Sequence, residues 1–223
     1  MAVASSFTPT SDHVIVWLDE NMAVTGNYTS EKELLETDAD LTSLPQSISS
    51  QRINELILTT APELTSEIRE HLIIRPLNMF SDENVCLRFI QDSLAAGKKV
   101  FLITSGQKGR LIVPQVHNIL SRSIYVFCGN RQWHEQWARP YDNDIEIYDD
   151  DQGVFGKVIS DIAIHYLTKG QNRQDGPTAA AQYLKWSVRL FRSAALIDGI
   201  DRTDFINVVN EELADIQPQQ PCH

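Results

Sequence analysis

A chain of 223 residues, 42% hydrophobic and 22% charged, has the composition of a folded globular protein with room for one α/β domain and an appendage. A formal net charge of −11 excludes the basic face needed for broad nucleic-acid binding or for docking on an anionic membrane. The first residues carry neither a basic stretch nor an apolar signal segment, and no apolar run approaches a membrane span, so a cytoplasmic protein is expected.

HVIVWLDE (13–20) reads as a buried strand whose carboxyl end carries Asp19 and Glu20. Residues 1–12 are expected to be disordered. Residues 21–71 are the least regular part, with an acidic, Ser/Thr-rich stretch over 25–50 and a weak helical pattern around Ile53, Leu56 and Ile57. A glycosylation pattern at Asn27 has no meaning without secretion. LIIRPLNMF (72–80) reads as a second strand that Pro76 consigns to a sheet edge or ends early. Ser81 is then expected to cap a helix through Ala96 with Val85, Phe89 and Leu94 inward and Gly97 as its stop.

KVFLITS is the third strand, followed by a short helix expected to turn Leu111, Val113, Val116 and Ile119 inward. SIYVFCG (123–129) is the fourth strand, and NRQWHEQWARPY a short helix ended by Pro140. IEIYDDD (145–151) is the fifth strand, and GVFGKVISDIAIHYLTKG the helix after it, with Val154, Val158, Ile162 and His165 or Tyr166 at helical spacing. Five strand–helix units with right-handed crossovers predict a parallel, doubly wound sheet of flavodoxin-like order 2-1-3-4-5 over residues 13–170. A polar linker (171–176) leads to a helical pair over 177–216. Its stripes are Leu184, Val188, Phe191 and Ala195, then Phe205, Val209, Leu213 and Ile216. Two such helices must pack on the sheet domain, on each other or on a partner, and a protein partner or self-association is expected there. Residues 217–223 read as a loose tail.

Ligands of such sheets bind where the strands end. The turn after strand three holds Thr104, Ser105, Gly106, Gln107, Lys108, Gly109 and Arg110. Free backbone N–H groups, glycines and two cations there are suited to an anion such as a phosphorylated small molecule. The spacing is neither a P-loop nor G-x-G-x-x-G, and the alternative is that the glycines serve the turn while Arg110 pairs with acids. Asp19 and Glu20, with the acids at 149–151, are candidate ligands for a divalent ion; solvated acids at loop starts are the plainer alternative. Ser105 is a nucleophile by position alone, with no base to name. Trp133 and Trp137 are expected to pack one helix face with His134 exposed beside Glu135, and His117 and His165 to be partly buried packing residues. Cys86, Cys128 and Cys222 are scattered as reduced thiols are, and no cofactor or metal motif is seen.

The five units, with VIVWLDE ending in two acids, resemble receiver domains of two-component signalling. In those domains the first strand ends in an acidic pair, the third in the phosphorylated Asp, the fourth in Ser/Thr and the fifth in Lys. Asp19 and Glu20 match the pair, but Thr104 or Ser105 stands in the acceptor's place, Cys128-Gly129 ends the fourth strand, and the fifth has no Lys. TIR domains share the architecture, yet the helix GRLIVPQVHN lacks the acid of their NAD-cleaving members. VIVWLD (14–19), LITSGQKGRLIVP (102–114), the segment from YVFC to QWA (125–138) and YLKWSVRLF (183–191) are similar to the N-terminal module of invertebrate multidomain ADP-ribosyltransferase and tetratricopeptide-repeat proteins. That resemblance implies a receiver-like accessory module and carries no transferase residues with it. The expectation is a non-catalytic interaction or regulatory module; the alternative is an anion- or nucleotide-binding one.

Overall fold

The computed structural model describes residues 12–20, 77–120 and 122–216. They form two compact units that divide between Val154 and Phe155.

The first unit is built on a five-stranded, all-parallel sheet of order β2-β1-β3-β4-β5, the order expected. Its strands are β1 (His13–Leu18), β2 (Leu77–Phe80), β3 (Lys99–Ser105), β4 (Ile124–Phe127) and β5 (Ile145–Tyr148). All six residues of β1 and five of the seven in β3 are buried. These are the unbroken apolar runs that a parallel sheet covered on both faces demands. β1 pairs with β3 from His13 opposite Lys99 to Leu18 opposite Thr104, and with β2 from Ile15 opposite Leu77 to Leu18 opposite Phe80. β2 takes the edge, where Pro76 pointed. The part of that strand expected before Leu77 lies outside the described residues, as do the segment 21–71, the chain's first eleven residues and the tail 217–223 with Cys222. β4 and β5 are shorter than expected, and after β5 the residues Asp149 and Asp150 have left the sheet. Asp150 Oδ1 instead accepts the Gly153 N–H at 2.5 Å, near the start of the following helix.

Helices α1 (Glu83–Ala95), α2 (Gly106–Val116) and α3 (Arg131–Ala138) follow β2, β3 and β4. Val14, Val16, Leu18, Val100, Leu102, Ile124 and Val126 from the strands pack with Cys86, Ile90, Ile112, Val113, Val116 and Ala138 from these helices. The cap of α1 is Asp82, not Ser81. Its backbone is extended, and Oδ1 accepts the N–H groups of Asn84 and Val85 at 2.9 Å each. The inward face is Cys86, Ile90 and Ser93, one position on from the expected stripe; Val85 is 44% exposed, and Phe89 and Leu94 are half-buried at the rim. Gly97, at φ +75°, ends the helix: its N–H donates to Leu94 O and that of Lys98 to Ser93 O. That pair of bonds is the Schellman closure, which favours glycine.

α2 presents part of the face read in the sequence, with Val113 and Val116 inward as expected but Leu111 and Ile119 not. Gly106, Gly109, Ile112, Val113 and Val116 are buried, whereas Leu111 and Ile119 lie about half exposed. Position 109 faces inward only because it is glycine. A Cβ there would meet Thr104 Cγ2 at 3.1 Å and the Trp137 ring at 3.2 Å.

The second unit is helical: α4 (Asp151–Asn172) from Phe155 onward, α5 (Pro177–Asp198) and α6 (Thr203–Ile216). The helix read as the sheet domain's last therefore lies mostly here, and it runs two residues into the expected linker. Pro177 opens α5, and Gly199 at φ +72° closes it. α5 buries Leu184, Val188 and Phe191 as expected, together with Tyr183, Trp186, Leu190 and Ala194. Tyr166 stacks on Tyr183 at 5.9 Å and meets Trp186 edge-on at 5.2 Å. Ser187 Oγ donates to Ala163 O at 2.8 Å. Of the expected α6 stripe, Val209 is fully buried and Leu213 and Ile216 half-buried, while Phe205 stays 48% exposed and stacks on Phe191 at 5.0 Å. Among the described residues, no helix is long and apolar enough to cross a membrane.

Candidate functional site

The carboxyl ends of β1 and β3 are adjacent in the sheet, and the strand order reverses there, as at the ligand crevice of open α/β sheets. Asp19 and the turn into α2 face each other across this point. Glu20 is exposed, and the Gln107 amide, turned to donate, reaches its two oxygens at 3.2 and 3.3 Å. Asp19 is buried. The structure thus brings the acidic pair and the anion-cradle candidates together.

Each cradle residue has a local task. Thr104 is fully buried, and its Oγ1 donates to Ser105 O at 3.3 Å. Ser105 caps α2, its Oγ accepting the Lys108 N–H at 3.5 Å. Lys108 Nζ lies 2.7 Å from Glu83 Oε2, and this lysine holds the Glu83 carboxyl below its usual pKa. Arg110 is exposed. Gly106 lies against the His134 imidazole so closely that a Cβ would overlap the ring, and Gly109 accommodates Thr104 and Trp137 as described. Both glycines therefore have packing reasons that involve no ligand.

His134 reverses the expectation for its helix. It is 7% exposed, whereas Trp133 is 55% exposed. The indole Nε1 of Trp137 donates to His134 Nδ1 at 3.0 Å. An indole N–H only donates, so Nδ1 carries no proton and the neutral ring holds its hydrogen on Nε2. Burial lowers the His134 pKa, and a hydrogen bond to the Gly106 backbone offsets that only in part. A ring so held serves as a packing wedge and not as an exposed acid–base group. Hydropathy favoured burying the two tryptophans; the small face made by Gly106 and Gly109 was the signal that a ring would dock there instead.

Asp149 and Asp150 lie just past the end of β5, which β3 and β4 separate from β1 in the sheet, and both are exposed. Among the described residues, no group of three His, Cys, Asp or Glu side chains converges as a metal site. Burial pushes the Cys86 thiol up to about 12 and raises that of Cys128, so both are poor thiolate nucleophiles. His117 Nδ1 lies 3.2 Å from Asp144, half-buried, and His165 is half-buried beside Tyr166.

No family model, curated protein or solved structure matches the chain. The fold is established by its own topology, and function has to be argued from the edge just described.

A feature that periodicity did not disclose lies in the helical unit. Arg202, 7% exposed, grips both oxygens of Asp198 through Nη1 and Nη2 at 2.6 and 2.5 Å, and its Nε donates to Ser160 Oγ at 2.5 Å. Gly156 on α4 leaves the space that the Asp198 carboxylate fills. The i, i+4 spacing of Asp198 and Arg202 was the available signal.

Proposed function

We propose that this chain is a non-catalytic, receiver-like interaction and regulatory module that docks protein through its helical unit. The observation that carries the proposal is the end of β3. Where a receiver presents its acceptor Asp, this chain has Thr104, fully buried, followed by Ser105, which caps α2. Neither supplies a carboxylate for an aspartyl phosphate, and β5 ends in Tyr148, followed by Asp149, where the receiver's Lys would stand. The nearest histidine is a neutral wedge. Two free, buried thiols suit a reducing, cytoplasmic setting.

The test is a thermal-shift screen of the purified chain against acetyl phosphate with magnesium, nucleotides, NAD, ADP-ribose and inorganic phosphate. A non-catalytic module gives no shift and takes up no phosphate. A ligand at 100 times its Kd would stabilise the fold by about 2.7 kcal/mol, which is easily seen. Such a rise, abolished by Arg110→Ala, would establish the anion-binding alternative at the α2 turn and overturn the proposal.

A further inference from the structure

The exposed sides of α5 and α6 carry charges of opposite sign in matching rows. On α5, Lys185, Arg189, Arg192 and Leu196 recur at i, i+4, i+7 and i+11 and share one face; Lys185, Arg192 and Leu196 are exposed and Arg189 half-exposed. On α6, Asp204, Val208, Glu211 and Asp215 recur with the same spacing, all exposed. None of the six charged residues forms an ion pair with another described residue, whereas Glu212 on α6 is engaged by Arg173 and Gln171. The apolar members of the rows, Leu196 and Val208, stand with Ile200 and Phe205 at the end of the hairpin where α5 passes into α6. These four side chains are 44 to 59% exposed. Isolated charges on a helix are ordinary solvated surface. Two rows of opposite sign that form no ion pair with described residues, together with four exposed apolar side chains near the turn that joins the helices, have the makeup of an interface with an apolar part and a charged part.

The charges also choose the occupant. A basic partner would satisfy only the α6 row and an acidic one only the α5 row. A chain that presents both rows is complementary in charge to a second copy of itself. We propose that two copies of this chain associate through α5 and α6, the basic row of one against the acidic row of the other, with the apolar cluster supplying contact area. This rests on the interaction-module reading and names its partner. Apolar burial sets the strength of such an association, while the rows set register and partner choice.

Sedimentation velocity on the full chain tests this across micromolar concentrations at about 50 and about 500 mM salt, where screening lengths differ several-fold. The expected result is concentration-dependent association that weakens by about tenfold or more in the higher salt. Lys185→Glu with Arg192→Glu makes both rows acidic, and Glu211→Lys with Asp215→Lys makes both basic. Each variant alone should be monomeric with an unchanged melting curve, and an equimolar mixture should associate again. A wild-type chain monomeric under all conditions overturns the proposal, as do variants that associate like wild type. So does a monomer that instead retains a basic or an acidic amphipathic peptide. Those results leave the non-catalytic reading to its own ligand screen, and a ligand-induced shift there would remove that reading without touching the association data.

Discussion

Two helices each place a glycine beneath a polar side chain, one in each unit. In the sheet unit Gly106 of α2 lies under His134; in the helical unit Gly156 of α4 lies under Asp198. His134 is buried in its neutral form, with Trp137 donating to it. Asp198 is buried against Arg202, which meets both carboxylate oxygens. The same device, a missing Cβ, thus admits a titratable group by two routes: suppression of charge in one unit and pairing of charge in the other. A neutral buried ring depends on pH, whereas a paired buried ion depends on its partner.

The largest expected effect breaks the second route. Arg202→Met leaves the Asp198 carboxylate buried and unpaired, and should destabilise the helical unit by about 3–5 kcal/mol in a denaturant titration. Adding Asp198→Leu should recover much of that loss, since an apolar pair of similar volume often replaces a buried ion pair at little net cost. Gly106→Ala tests the first route. The added methyl overlaps the imidazole, so the ring and α3 must shift, at about 1–3 kcal/mol. Its thermal unfolding should drop accordingly, and that of Gly97→Ala, where the space is open but φ is +75°, should drop by about 1 kcal/mol.

The pH dependence follows from the depressed His134 pKa. Unfolded, the imidazole takes up its proton near its ordinary value of about 6.5; folded, it does so only at lower pH. His134 therefore imposes no penalty above about pH 6.5, and stability falls as pH drops from there toward the folded value. His134→Gln keeps an acceptor for Trp137 and does not titrate, so the wild type's advantage over it should shrink between pH 7.5 and 5.5. The smallest effect is expected from Lys108→Ala, whose pairing with Glu83 is partly exposed: a slight fall in Tm, smaller still in high salt.

The strand order was legible because the signal was redundant. VIVWL, VFLIT and IYVF are apolar runs too short for buried helices, and crossover handedness leaves few ways to assemble them. Helix faces were less legible. In α1 a single register step put Cys86 and Ile90 inward in place of Val85, because hydropathy ranks Val and Cys closely. In α2 and α3 the decisive contact was between a glycine and a ring nearly thirty residues away, and no local window contains both. The sequence places the candidate residues at the ends of β1 and β3, but their local tasks were not readable from it. A serine that caps a helix and a serine that attacks a substrate look alike until the Lys108 N–H is seen to point at Ser105 Oγ.

The interior position of β1, between β2 and β3, has a kinetic consequence. All six of its buried residues pair on one side with residues 99–104, and the last four pair on the other side with residues 77–80. At ribosomal speeds of about 5–20 residues per second, HVIVWL waits on the order of 4–20 s for Lys99 and its neighbours to be made. During that interval this fully buried strand lacks its β3 partner. Its first long-range partner is β2, a four-residue edge strand, so nascent chains stalled between residues 80 and 99 should be the species most prone to aggregate.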